Sequence, residues 1–449
     1  MMTSLQRQTP SSWLTMNQVF TTWWPLAASW LLMGTELPAV SAVVARLPNP
    51  EINLAAYGGI VFPLSLIIEA PIIMLLAAST ALSKDWASYS KLRTFMLAAG
   101  AALTALHILL AFTPLYYWLV ESVIGAPEEI VEPARVGLMI MTPWTWSIAF
   151  RRFNQGVLIR FGHSKAIGLG TVVRLGTNLI VLTIGYLSQS LPGIVVATSA
   201  VATGVVCEAI YIGLVVRPVL DNELKPAPVV IPALSWKDFW DFYIPLAMTS
   251  LLFLLSNPIG SSALSRMPHS LASLAVWPVV TGLIFMLRSL GIAFNEVVVA
   301  LLEKPHASQV LLRFMWALGG ITTLALFVLT ATPLANFWFE KVSALSPELT
   351  ELARKGIWIA LPMPLLAVLQ SWYQGVILYG RQTRGITESV VIYLVTSALI
   401  LVAGVSFGLT AGLYFGLLAL TASMTTQTIW LWYRSREVRY RLAQAVTEG

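Results

Sequence analysis

The sequence predicts an all-α polytopic membrane protein whose twelve transmembrane helices form two pseudo-symmetric lobes of six. Two observations predict this fold class: the composition of the chain and an internal repeat. Of the 449 residues, 57% are hydrophobic and only 11% are charged, which no soluble domain of this size matches. The formal net charge of +6 is explained by lysines and arginines at the inner membrane surface, because the chain has no soluble basic domain that could bind nucleic acid.

Twelve apolar runs are each long enough to cross the ~30 Å hydrocarbon core of a bilayer as a helix. We expect them to centre near Leu31, Ile68, Leu106, Trp146, Leu179, Val205, Leu251, Phe285, Leu324, Leu365, Ser397 and Leu420. The proline-containing loop 217–236 divides them six and six. The expected domains are a cytoplasmic N-terminal segment 1–18, an N-lobe 19–217, a cytoplasmic linker 218–237, a C-lobe 238–436 and a cytoplasmic tail 437–449.

The second observation is a sequence repeat at an offset of 219 to 220 residues. Pro25-Leu26-Ala27 matches Pro245-Leu246-Ala247, and Gln155-Gly156-Val157 matches Gln374-Gly375-Val376. Because each copy contains an even number of spans, both halves have the same orientation and are related by an axis along the membrane normal. Two such lobes around a central cavity are the geometry of an alternating-access transporter.

The distribution of basic residues predicts the orientation. If the N-terminus is inside, seventeen Lys and Arg lie in inner loops and six in outer loops, so the positive-inside rule places both termini in the cytoplasm. Because segment 1–18 is polar, we expect no cleavable signal peptide. We expect the chain to be integral to the plasma membrane, the inner membrane of a bacterium.

The chain resembles a known transporter superfamily in its plan and in short motifs. Long, proline-broken first and seventh spans are similar to those of the multidrug/oligosaccharidyl-lipid/polysaccharide (MOP) flippase superfamily, with its V-shaped, MATE-like fold. Within it, Leu54-Ala55-Ala56-Tyr57-Gly58 is similar to the Leu-Ala-Ser-Tyr-Gly of the progressive ankylosis protein family, and Ser256-Asn257-Pro258-Ile259 resembles the start of that family's second half. The resemblance implies export of small polyanions such as citrate, pyrophosphate or nucleotides.

Two adjacent arginines, Arg151 and Arg152, lie inside the apolar run of the fourth span. Each costs roughly 2.5–3.5 kcal/mol at the centre of an inserted helix. We therefore expect the guanidinium groups to face a wet cavity, a carboxylate or an anion. The alternative is that they reach the inner headgroups, because Arg151 lies roughly 15 Å from the loop at Gly162.

Arg174 on the fifth span and Glu208 on the sixth are expected at the depth of these two arginines. The repeat copies of the four positions are neutral: Gln370, Ser371, Tyr393 and Gln427. Three arginines against one carboxylate predict a net positive pocket on the N-lobe that binds the substrate's negative charge, with Asn178 as a further contact. One of the adjacent arginines should reach the anion together with Arg174, and the other should pair with Glu208 or extend to the inner headgroups. A self-neutralising structural cluster is the alternative.

The C-lobe offers Asn257 on the seventh span and Arg288, Asn295 and Glu296 on the eighth. Arg288 and Asn295 are seven residues apart and should share a helix face, so we predict that they and Asn257 contact the substrate. Glu69 on the second span lies near the depth of Arg288. The two are expected to meet across the cavity as a gate, in one conformation only; separate polar contacts within each lobe are the alternative.

Glu36 lies two residues before Pro38 in the first span. Because a proline frees a backbone carbonyl, a carboxylate there predicts an H⁺ or Na⁺ site, with a structural hydrogen bond as the alternative. The residues expected to serve coupling or gating are Glu36, Glu69, Glu208 and Glu296.

The predicted function is a secondary active transporter that exports small polyanions by alternating access. The alternatives are a flippase of lipids or lipid-linked saccharides and an H⁺- or Na⁺-coupled exporter of cationic drugs. The sequence shows no metal-ligand cluster, catalytic triad or phosphate loop, so we expect no enzyme and no cofactor beyond the coupling ion. Expected partners are the small anionic substrate and membrane lipids, with no nucleic acid, and we expect a monomer.

Overall fold

A computed structural model describes residues 14–302, 304, 307–380 and 384–447 of the chain, and these are almost entirely helical. Ten helices have the length and composition of a membrane span, and Glu128–Arg160 and Gly412–Arg434 are two further long helices. The predicted fold class is confirmed. The twelve spanning helices are α1 (Met16–Val44), α2 (Pro50–Glu69), α3 (Trp86–Phe112), α4 (Glu128–Arg160), α5 (Ser164–Ser188), α6 (Gly193–Leu224), α7 (Trp236–Ser265), α8 (Ser270–Leu301), α9 (Ala307–Ala331), α10 (Pro347–Tyr379), α11 (Arg384–Phe407) and α12 (Gly412–Arg434).

A thirteenth helix, α13 (Arg436–Thr447), follows the last span. We call the end of the bundle at which α1 begins and α12 ends the basic end, after the predicted excess of basic residues there, and the other the opposite end. Helices α1–α6 form the first half of the molecule, and α7–α13 form the second half. Of the predicted terminal segments, residues 1–13 and 448–449 lie outside the described ranges.

The two halves repeat the same local structure at the offset found in the sequence. The side chain of Thr15 caps α1 by accepting from the amide of Gln18, and Ser235 caps α7 by accepting from that of Asp238. Such capping boxes satisfy amides that the first turn of a helix leaves free. Deeper in each half, Asn53 accepts from the amide of Ile194 (2.9 Å), and its repeat copy Ser273 accepts from that of Leu413 (3.1 Å).

At the basic end, the first helix of each half packs against the other half. The indole of Trp23 on α1 donates to the carbonyl of Leu290 on α8 (3.0 Å), and its ring meets that of Phe314 on α9 at 5.5 Å. The repeat copy of Trp23 is Tyr243 on α7. Its ring lies 4.8 Å from that of Phe95 on α3. The halves are therefore interlocked by a reciprocal exchange of helix ends.

The second helix of each half is interrupted. After Glu69, α2 passes through a turn that contains Pro71 before a further helical segment, Leu75–Leu82. Helix α8 is interrupted at Ala293. Carbonyls freed at the first break accept hydrogen bonds from the other half: Pro71 from the hydroxyl of Tyr243 (2.6 Å) and Ala70 from that of Ser250 (3.1 Å). Side chains of a neighbouring helix thus satisfy the backbone where a proline prevents regular bonding.

At the opposite end, two arginines join the halves reciprocally. Arg46, after α1, donates to the carbonyls of Val342 (2.9 Å) and Lys341 in the second half. Its repeat copy Arg266, after α7, donates to the carbonyl of Val123 in the first half (2.5 Å). Val123 and Val342 are themselves equivalent in the repeat. The described structure is therefore bridged between its halves at both ends.

Candidate functional site

A charged network lies inside the first half, centred on the fully buried carboxylate of Glu208 on α6. Arg151 on α4 forms an ion pair with Glu208 at 2.6 Å between Nη1 and Oε2. The amide of Gln155, one turn further along α4, donates to the other carboxylate oxygen (3.0 Å). Because a buried carboxylate is costly without a partner, these contacts fix α4 against α6.

Arg174 on α5 extends this network to α1. Its Nη2 lies 3.1 Å from Oε2 of Glu36, and its Nε lies 3.8 Å from Oε2 of Glu208. The side-chain amide of Asn178, one turn along α5, donates to Oε1 of Glu36 (2.6 Å). The prediction that Arg151, Arg174 and Glu208 lie at one depth is confirmed. Glu36, expected at a coupling site, belongs to the same network.

Glu36 corrects the expectation that Glu208 is the lone acid among three arginines. A third carboxylate, Glu69 on α2, interacts electrostatically with Arg152, Arg151 and Arg174. The first half therefore holds three arginines and three glutamates in one region. Their formal charges cancel when all six are ionised, so the count of three arginines against one carboxylate is incomplete. That this region binds the negative charge of a substrate stays a prediction.

Two glycines make room for the network. A Cβ atom at Gly204 on α6 would lie 1.7 Å from Oδ1 of Asn178, so no other residue fits there while Asn178 reaches Glu36. A Cβ at Gly170 on α5 would lie 3.3 Å from Cγ of Glu208. The repeat copies of these glycines are Ser423 and Ser389. Sequence reasoning missed both glycines and Gln155.

The second half forms an uncharged version of the same network. Gln370 on α10 and Gln427 on α12, the copies of Arg151 and Glu208, are joined by a hydrogen bond of 3.1 Å. Gln427 also donates to the hydroxyl of Ser389 (3.4 Å). At the positions of Arg174 and Glu36 stand Tyr393 and Ser256, whose hydroxyls are hydrogen-bonded.

Among the described arginines that are buried or half-buried, Arg152 on α4 and Arg288 on α8 have neither a hydrogen bond nor an ion pair. Each residue of an α-helix turns by about 100°, so the side chain of Arg152 points roughly 160° away from that of Phe150. Phe150 lies on the outer side of α4, and Arg152 therefore faces away from that side. Arg288 interacts electrostatically with Tyr393, which belongs to its own half. The expected contact between Glu69 and Arg288 is absent from this conformation of the described residues.

The remaining predicted residues do not join the charged network. Asn257 donates to Leu254 in its own helix (3.2 Å), and Asn295 donates to the carbonyl of Ser371 on α10 (3.1 Å). Glu296 is exposed. A turn at Ala293 lies between Arg288 and these two residues, and the predicted contact of Arg288, Asn295 and Asn257 with the substrate stays a prediction.

Comparison with known proteins identifies the fold. No family model and no curated protein sequence matches the chain. Among solved structures, the inward-facing form of a multidrug resistance MATE family transporter of the MOP superfamily is similar with a TM-score of 0.63 and 16% identity, covering 94% of this chain and 98% of that one. The eukaryotic MATE transporter AtDTX14 is similar with a TM-score of 0.60 and 14% identity, over 95% and 99%.

A third structure is a MOP superfamily transporter from Pyrococcus furiosus, whose description states that a reverse polarity of its binding pocket suggests a different function. It has a TM-score of 0.59 and 16% identity, covering 96% of each chain. At such identities the likeness shows the fold alone, and the nearer resemblance to the progressive ankylosis family stays a prediction. The chain has the twelve-helix fold of the MATE transporters.

Proposed function

We propose that this protein is a secondary active transporter that moves small anions across the membrane by alternating access. The observation that carries the proposal is a pair of half-buried arginines that form no hydrogen bond or ion pair in the described ranges: Arg152 in the first half, which interacts electrostatically with Glu69, and Arg288 in the second. Each lies well inside a spanning helix. A buried charge without a partner is costly, and a bound anion would remove that cost.

The charge balance of each half supports an anion as the substrate. In the first half three arginines stand with three glutamates, whereas Arg288 interacts with the neutral side chain of Tyr393, and the neutral pair Gln370 and Gln427 takes the positions of Arg151 and Glu208. The interior charge described at this level is therefore positive. An anion bound by one arginine from each half would make different contacts in the inward-facing and outward-facing states. Such a difference in contacts is what allows a ligand to shift the equilibrium between two conformations.

The charged network would supply the coupling. The side chain of Glu36 is 19% exposed, whereas that of Glu208 is fully buried, so Glu36 is the more accessible of these two carboxylates. Neutralising Glu36 leaves Arg174 without its closest partner and adds one positive charge to the first half. Proton uptake would thus strengthen anion binding.

An H⁺- or Na⁺-coupled exporter of cationic compounds is the second candidate. Three interior carboxylates favour it, and two of the similar structures are described as multidrug resistance transporters. The Pyrococcus furiosus protein, described as having a pocket of reverse polarity, supports the view that this fold accommodates pockets of either sign. A lipid flippase is the third candidate, and phosphate recognition by arginine suits it equally.

Flux in proteoliposomes tests these candidates. Uptake of citrate, pyrophosphate, ATP and a lipophilic cation is measured for the parent protein and for Arg152→Gln and Arg288→Gln. Each variant should lower anion affinity about ten- to a hundredfold, because it removes a charge-assisted contact worth roughly 1.5–3 kcal/mol. Lysine should restore only part of the loss, since the planar fork is missing.

The matched control is Arg313→Gln on α9, an exposed arginine that should leave anion affinity unchanged. Cation flux that survives both interior variants, without anion flux in the parent protein, would overturn the anion proposal in favour of the cation exporter.

A further inference from the structure

A groove opens on the outside of the first half, at the basic end between α3 and α6, with α4 as its floor. Its volume is about 650 Å³. The deep part is apolar and aromatic, lined by Trp146 and Phe150 from α4 and by Ile210 and Leu214 from α6. Ile210 and Leu214 are more than half exposed. The groove therefore faces the lipid phase rather than the space between the halves.

The groove stays open because of small residues that the repeat replaces by large ones. Gly213 on α6 packs against Phe150, and a Cβ there would lie 2.8 Å from that ring. The repeat copies of Gly213 and the groove residue Asn154 are Trp432 and Tyr373.

In the second half these two aromatic rings converge under one guanidinium. Arg439 of α13 lies 5.5 Å from the ring of Trp432 and 5.3 Å from that of Tyr373. In the second half, these aromatic side chains therefore fill the position that corresponds to the groove. In the first half that position is open, so only there can another molecule bind.

The mouth of the groove carries an excess of positive charge. Lys225 is neutralised by an ion pair with Asp221 (2.6 Å) and lies over the ring of Trp86. Arg93 and Arg217, which also line the mouth, are exposed and form no ion pair within the described ranges. Two free guanidinium groups above an apolar groove complement a phosphate group attached to an acyl chain.

We propose that this groove binds an anionic phospholipid of the membrane leaflet at the basic end. The phosphate would lie between Arg93 and Arg217, and one acyl chain would run past Leu214 and Ile210 towards Val206. From Arg217 to Val206 the helix rises roughly 16 Å, about the depth of one leaflet. The proposal does not depend on the identity of the transported substrate.

Native mass spectrometry of the purified full-length protein tests the proposal with phosphatidylglycerol and phosphatidylcholine of identical acyl chains. The parent protein should retain phosphatidylglycerol in preference. The double variant Arg93→Gln/Arg217→Gln should bind it roughly thirtyfold more weakly, because each basic residue contributes about 1 kcal/mol to attraction of an anionic lipid. Leu214→Trp, at an exposed position where the fold is not at risk, should exclude the acyl chain and lower binding of both lipids.

The matched control is Arg313→Gln/Arg436→Gln, which removes an exposed arginine of α9, one position after the repeat copy of Arg93, and the repeat copy of Arg217. It should leave lipid retention unchanged. Equal retention of the two lipids by the parent protein, an equal loss in the control variant, or a second copy of the chain that occupies the groove and resists displacement by phosphatidylglycerol would each overturn the proposal.

Discussion

The two halves use the same positions for different chemistry. Arg151 and Glu208 form a buried ion pair at 2.6 Å in the first half, whereas Gln370 and Gln427 form a neutral hydrogen bond at 3.1 Å in the second. Both pairs join the fourth helix of their half to the sixth. The neutral pair demonstrates that this helix contact needs no charge.

A buried ion pair is not a cheap way to hold two helices together. Its desolvation cost often exceeds the attraction between the charges, and neutral replacements of similar volume are frequently as stable. The difference between the halves therefore makes a functional role of the charges in the first half a hypothesis that measurements of stability can test. The opposite-end arginines, by contrast, are alike in both halves and belong to the shared framework.

The largest expected effect is a difference in the free energy of unfolding that is lost when the charged pair or the neutral pair is broken. Glu208→Ala strands the guanidinium of Arg151 in the interior and should lower the free energy of unfolding by about 3–5 kcal/mol. The matched change Gln427→Ala removes only neutral hydrogen bonds and should cost about 1–2 kcal/mol. Unfolding of the two purified variants in detergent measures both values. Equal losses would mean that the two networks are energetically alike despite their charges.

A smaller effect is expected where the halves are the same. Arg46→Ala and Arg266→Ala each remove hydrogen bonds across the opposite end. Each variant should favour the conformation in which the two halves are separated at the opposite end by about 1 kcal/mol, which is roughly a fivefold change in its population. Spin labels at Glu121 and Glu340, equivalent exposed positions, report the separation in a Cys207→Ser background.

The control for this pair is Arg135→Ala. Arg135 donates to the carbonyl of Ala111 within the first half (3.2 Å), so its loss should not change the label distance. If Arg46→Ala and Arg266→Ala gave clearly unequal shifts, the equivalence of the two halves at this end would fail.

The smallest change in stability is expected when the chemistry of the second half is transferred to the first. Arg151→Gln/Glu208→Gln recreates the Gln370–Gln427 pair and removes one charge of each sign. The free energy of unfolding should stay within about 1 kcal/mol of the parent value, although each single variant is strongly destabilised. If proton coupling depends on the charges, ion-coupled transport should still fall. A double variant as unstable as Glu208→Ala would show that the ion pair is structural.

The repeat in the sequence predicted much of this architecture. Two equivalent sets of spans imply equivalent contacts, and the pairing of Asn53 with Ile194 and of Ser273 with Leu413 follows that register. Counting residues from the helix ends also placed Arg151, Arg174 and Glu208 at one depth, because the rise per residue is constant.

The direction in which each side chain points could not be predicted in the same way. Depth alone does not say which helices are neighbours, so Glu36 on α1 was not recognised as the partner of Arg174 on α5. The contact expected between Glu69 and Arg288 is not formed in this conformation, and it stays a prediction for another one. The groove at Gly213 was also missed, because its openness depends on what Phe150 packs against.

The reciprocal packing of α1 and α7 has a consequence for how the protein is made. The hydrogen bond from Trp23 joins residues 267 positions apart, so α1 cannot complete its contacts until α8 has left the ribosome. At 5–20 residues per second this wait lasts roughly 13–50 s. During that time the apolar face of α1 at Val19, Trp23 and Ala27 must be sheltered by lipid or by the insertion machinery. Although the two halves are similar, they cannot complete their folding one after the other, because each half needs contacts with the other.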